Sequence, residues 1–122
     1  MEIIIGREEG TRRLHCIVDG REFNVGQAGC VPVSVSRKHC MITINGSNIS
    51  IENLKPQNIT FVDDSQIFSK GITATSKVQL GNEKYPIPLQ QIIQLATGKS
   101  VTGGSVYVGF TVAFSPFLFS FT

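Results

Sequence analysis

The sequence holds no tryptophan, only three cysteines, and no block of Lys and Arg longer than two residues. The cysteines, Cys16, Cys30 and Cys40, are odd in number and follow no pattern spacing. That argues against a disulfide framework and fits a reducing, cytoplasmic compartment. A formal net charge of +2 spread without a basic block lacks the footprint of a polyanion binder, so nucleic acid is not expected as a partner. The opening Met1-Glu2-Ile3-Ile4-Ile5 has no basic region ahead of an apolar run and does not read as a secretory signal. No Gly-rich phosphate-cradling loop leads into a helix, and no internal repeat or low-complexity linker divides the chain. Helical periodicity is nearly absent as well.

What remains is strand. A chain of 122 residues suits one domain with a real core. Ile3–Arg7 is apolar and β-branched, and Glu8–Thr11 is a polar turn. Arg13–Val18 and Arg21–Val25 flank Asp19-Gly20, a hairpin signal. Cys40–Ile44 and Asn48–Glu52 flank Asn45-Gly46-Ser47, a second one. In Asn48-Ile49-Ser50-Ile51 every second residue is apolar, the period of a half-buried strand. Phe61-Val62, Gln66–Phe68, Gly71–Thr75 and Lys77–Leu80 supply further short strands. The exception is Pro88–Thr97, where Leu89, Ile92, Ile93 and Ala96 follow helical spacing and Gly98 can end the helix. The expected fold is therefore all-β, an antiparallel β-sandwich over residues 1–90. A short helix and a hydrophobic tail fill residues 91–122.

One stretch concentrates chemistry. Val35-Ser36-Arg37-Lys38-His39-Cys40 places a hydroxyl, a guanidinium, an ammonium and an imidazole together at the mouth of a strand. A hydroxyl donates one hydrogen bond and arginine grips an oxyanion with a planar fork, so the loop looks built to hold an anion.

Three motifs in order resemble the forkhead-associated (FHA) domain family. They are Gly6-Arg7 at the end of an apolar strand, Ser36-Arg37-Lys38-His39, and the turn Pro56-Gln57-Asn58-Ile59-Thr60 followed by the apolar pair Phe61-Val62. The resemblance covers roughly residues 2–90. It implies a non-catalytic module that binds a phosphothreonine peptide with loops at one end of the sandwich, without cofactor or metal. It further implies that Arg7, Ser36 and Arg37 meet the phosphate, with Gln57 near it. Asn58 would hold the peptide backbone, and Gly6 and His39 would support the site from behind. The alternative is a sandwich of the same family used as a scaffold with no phosphate dependence.

The sequence departs from the family pattern in three places. Gly6-Arg7 stands much further ahead of Ser36 than typical members place it. In a second register, Gly26-Gln27 after Phe23-Asn24-Val25 occupies the Gly-Arg position; in a third, Gly20-Arg21 does. Arg7 is preferred because three isoleucines lead straight into it. Gln57 stands where the family usually has threonine. Ile59 replaces the usual glycine, and isoleucine does not adopt positive φ cheaply, so the turn must differ.

Other chemistry has little support. His15-Cys16 and His39-Cys40 lack the clip spacing of structural zinc sites, and adjacent residues on a strand face opposite ways. No Gly-rich elbow accompanies a Cys-His pair. Asp63-Asp64 reads as a solvated turn. After Lys99 the chain has no charge, and five of its eight phenylalanines fall in the tail. Residues 105–122 are expected to stand outside the sandwich core, with membrane association at its cytoplasmic face as one role for them.

Overall fold

A computed structural model of the chain describes residues 1–98, 100–102 and 105–107. β1 (Glu2–Arg7) is the central strand of a six-stranded antiparallel sheet. On one side it pairs with β2 (Leu14–Val18), which pairs in turn with β3 (Arg21–Val25). On the other side it pairs with β4 (Cys40–Asn45), followed by β5 (Asn48–Asn53) and β8 (Ser69–Ile72). The sheet order is β3-β2-β1-β4-β5-β8. The second sheet runs β10-β9-β6-β7, built from β6 (Thr60–Val62), β7 (Ser65–Ile67), β9 (Val78–Leu80) and β10 (Tyr85–Pro86).

Alternation makes the sandwich. Ile3 and Ile5 of β1, Cys16 and Val18 of β2, Ile42 and Ile44 of β4, and Ile49 and Ile51 of β5 point inward and are buried. Their neighbours Ile4, Ile17 and Met41 lie half-buried on the outer face. Each fully buried isoleucine contributes about 1.5–3 kcal/mol of burial free energy. Cys16 and Cys40 are both inside, opposite Ile5 on the strands to either side of it. Burial pushes both thiols up to about 12, and the intervening strand keeps them from bridging.

The turns follow local chemistry. Asp19 (φ 49) and Gly20 (φ 75) are both left-handed, as a two-residue turn between twisted strands requires. Asp63 (φ 49) and Asp64 (φ 71) make the same kind of turn between β6 and β7. Asp64 pairs with Lys77 at 2.9 Å on the surface, and Asp63 accepts the Lys77 amide. These acids are the turn the sequence suggests.

The sequence-derived boundaries need correction after residue 62. The run expected over Gln66–Phe68 ends at Ile67, and the strand expected over Gly71–Thr75 begins at Ser69 and stops at Ile72. The domain boundary at residue 90 is also too early. The helix α1 (Leu89–Thr97) begins before it, and its Leu89, Ile92, Ile93 and Ala96 belong to the same buried cluster as the strands. Arg21 Nη2 donates to the Ala96 carbonyl at 3.0 Å, tying the helix end to the β2–β3 hairpin. A small separate sheet, β11 (Ser100–Thr102) with β12 (Ser105–Tyr107), follows. The rest of the tail expectation, residues 108–122, lies outside the described residues. Among those described, no helix is long and apolar enough to cross a membrane.

Antiparallel pairing decides where the loops go. Arg7 ends β1 beside Leu14 at the start of β2, Ile5 faces Cys40 at the start of β4, and Cys40 faces Asn53 at the end of β5. The loops 8–13, 26–39 and 54–59 therefore gather at one end of the sandwich.

Candidate functional site

The Ser36-Arg37 backbone lies directly on Gly6. A Cβ at that glycine would stand 2.0 Å from the Arg37 carbonyl oxygen and 2.6 Å from that of Ser36, so only hydrogen fits. The next residue fastens the approach: the Arg7 amide donates to the Ser36 carbonyl at 3.1 Å, and Arg7 Nε donates to the Val35 carbonyl at 2.9 Å. One of the five guanidinium donors is spent on the loop, which leaves the Nη groups for another acceptor.

The two competing registers part here. Arg21 starts β3 beside Val18, at the opposite end of the sheet, where it meets the helix. Gln27 is exposed beyond β3, and its Oε1 accepts from the Cys30 thiol at 3.8 Å. Of the three candidates, Arg7 is the one bonded to the Ser36 loop.

His39 is completely buried beneath the loop. Its Nδ1 accepts the Ser36 amide at 3.1 Å and its Nε2 meets the Ile59 carbonyl at 2.7 Å. An amide on one nitrogen and a carbonyl on the other fix the neutral tautomer with hydrogen on Nε2. His39 meets Ser36 through the backbone and not through the hydroxyl, so the pair is not a nucleophile and its base. Burial lowers the His39 pKa, and the hydrogen bond to Ile59 opposes this only in part. The folded value therefore lies below the unfolded one of about 6.5. As pH falls through about 6.5 the unfolded chain takes up a proton that the native chain refuses. Stability conferred by His39 is present above that pH, is lost as pH falls toward the folded pKa, and levels off below it. Urea unfolding of wild type at pH 8 and pH 5.5 should show the loss, and His39→Gln should remove most of the difference.

Asn58 is held between the two loops. It is 5% exposed, and both ends of its amide are engaged. Nδ2 donates to the His39 carbonyl at 2.8 Å, and Oδ1 accepts the Ser36 hydroxyl at 2.7 Å. The side chain stitches the Ser36 loop to the 54–59 turn. The His39 carbonyl, which also accepts the Leu54 amide at 3.1 Å, takes Asn58 as its second donor. Below it lies a polar pair that the sequence reading missed. Asn53 Nδ2 donates to the Asn58 carbonyl at 3.0 Å, and Thr60 Oγ1 donates to Asn53 Oδ1 at 2.5 Å. The available signal was parity: Asn53 falls on the inward face of β5 after Ile49 and Ile51.

The turn also differs at Ile59, as its side chain demands. Ile59 is not among the residues with positive φ, and its carbonyl serves both His39 Nε2 and the Gly81 amide. Gln57 is exposed on the turn beside it.

At the surface, the cations of the site are Arg7, Arg37 and Lys38. Lys38 is exposed. Arg37 is 69% exposed at its side chain and pairs with Glu9 at 2.9 Å. Neighbouring Glu8 is held differently: it accepts from Thr11 Oγ1, and from Asn24 Nδ2 at 3.2 Å. The Thr11 hydrogen bond is the main cause of its lowered pKa; desolvation opposes it, and Asn24, His15 and Arg13 lower it further. Two guanidinium groups and a hydroxyl on or against one loop are donors of the kind that an oxyanion takes. The hydroxyl proton now points at Asn58, so donation to an anion needs a rotation about the Cβ–Oγ bond.

Compared with known families, the chain matches the model described as FHA domain over residues 3–95, well over half its length. No curated protein and no solved structure matches it.

Proposed function

We propose that this chain, which belongs to the FHA domain family, binds threonine-phosphorylated peptides through the loops around Ser36. Members of this family are phosphopeptide-binding interaction modules and not enzymes. The observation that carries the reading is the seating of Ser36-Arg37 on Gly6, which brings the Arg7 guanidinium against the same loop. Phosphate brings nearly two negative charges and three strong acceptors, which suit two arginines and a hydroxyl. Arg7 and Ser36 are the inner contacts and Arg37 the outer one. Asn58 and His39 are positioning residues, holding the loop in shape. Gln57 stands at the rim, where its amide can donate to the phosphate or the peptide. The free thiols and the modest net charge fit a cytoplasmic module without a nucleic-acid partner.

A second reading, a scaffold without phosphate dependence, draws on the inward turn of Asn58 and on the hydroxyl of Ser36 already donating to it. Calorimetry separates the two. Ser36→Ala should weaken binding of a phosphothreonine peptide about tenfold, since hydrogen bonds to a charged group contribute about 1.5–3 kcal/mol. Arg37→Ala should cost less, about two- to fivefold, because its side chain is exposed and solvent screens it. Both variants should keep the wild-type melting temperature within a few degrees. Unchanged affinity in both would remove the anion site from this loop.

A further inference from the structure

The outermost cation of the site is not free. Arg37 Nη1 donates to Glu9 Oε1 at 2.9 Å, and Glu9 belongs to the loop that follows Arg7. The other acid of that loop, Glu8, is occupied by Thr11 and Asn24. Glu9 is therefore the acid whose partner is the site's own arginine. A phosphate that takes the remaining donors of Arg37 stands beside this carboxylate, because Glu9 engages only one of the five guanidinium N–H groups. Glu9 and the incoming phosphate then make a like-charge contact that a cation would offset. Among the described residues, the one cation that Glu9 pairs with is Arg37. The one supply that arrives with the phosphate is the peptide.

We infer that Glu9 determines peptide specificity, selecting phosphothreonine segments that carry a Lys or Arg beside the phosphorylated residue. This rests on the phosphothreonine reading of the site. Binding then places the phosphate on the remaining donors of Arg37, and the peptide's cation offsets the contact between Glu9 and the phosphate. Segments with acidic flanks are rejected twice, since they leave that contact without its offset and add charge beside it. The pair is exposed, so the preference is graded and falls with added salt.

The test is a library of phosphothreonine peptides with randomised flanking positions, selected on wild type, Glu9→Gln and Glu9→Lys. Glu9 is exposed and, among the described residues, its side chain bonds Arg37 alone, so all three should fold alike. Wild type should favour Lys or Arg at one flanking position by roughly two- to fivefold over neutral residues. Glu9→Gln should lose that preference and bind neutral-flanked phosphopeptides more tightly than wild type does. Glu9→Lys should reverse it toward Asp and Glu. Identical flanking preferences in the three proteins would overturn the inference while leaving phosphate reading intact. Equal recovery of phosphorylated and unphosphorylated peptides by all three would instead overturn the phosphothreonine reading, and the inference with it.

Discussion

Gly6→Ala should be the most damaging single-methyl change in this domain. The new Cβ would sit 2.0 Å from the Arg37 carbonyl oxygen and 2.4 Å from its carbon, and both atoms are backbone. Nothing flexible can turn aside, so either β1 or the Ser36 loop must move. β1 is held on both edges, by five residue pairs with β2 and four with β4, so the loop yields. Its retreat would break the Arg7 amide bond to Ser36 and the Arg7 Nε bond to Val35. Overpacking costs typically about 1–3 kcal/mol, and the lost bonds add to this. A fall in melting temperature on the order of 10 °C is expected. Phosphopeptide affinity should fall with it, below what the lost stability alone explains, because the anion ligands are displaced. A variant as stable as wild type would show that the loop does not rest on β1 in solution.

His39→Ala should cost about as much by a different route. It deletes a fully buried ring and leaves a cavity. It also strips the partner from the Ser36 amide, with a desolvation penalty of about 1–3 kcal/mol if water does not replace it, and one of two donors from the Ile59 carbonyl, which keeps the Gly81 amide. A loss of roughly 3–4 kcal/mol follows, visible in urea unfolding as a lower midpoint with little change in slope. His39→Gln should recover part of this, since its amide can reach one of the two groups. An alanine variant with an unaltered midpoint would deny the imidazole its part in holding the loop.

The first five strands, all in the first sheet, are legible in the sequence because alternation and turn chemistry agree, whereas β8 at that sheet's edge is not. Ile3–Arg7, the Asp19-Gly20 hairpin and the Asn45-Gly46 hairpin all lie where their residues point. The helix was legible for the same reason, as Leu89, Ile92, Ile93 and Ala96 form its buried stripe. The second sheet was harder. Its strands are two or three residues long, too short to show a period, and so Phe68 was read into a strand that it in fact separates from the next. The choice among Gly6-Arg7, Gly20-Arg21 and Gly26-Gln27 was out of reach, because chain distance does not report which strand end meets the Ser36 loop. The β2–β3 hairpin extends the sheet sideways from β1, so it lengthens the chain between Arg7 and Ser36 without moving them apart. The inward partners of Asn58 are out of reach for a related reason: an amide in a turn can face in or out, and the Ser36 hydroxyl and His39 carbonyl it meets are tertiary features.

The central claim is that Arg7 and the Ser36 loop together read phosphate. It is tested most directly by titrating one peptide pool, threonine-phosphorylated or treated with phosphatase, into wild type, Arg7→Ala and Gln27→Arg. The account predicts that wild type binds only the phosphorylated pool, that Arg7→Ala loses this binding by tenfold or more, and that Gln27→Arg behaves as wild type. Equal affinity of wild type for both pools would contradict it. So would a wild type that ignores phosphorylation and gains the response with Gln27→Arg.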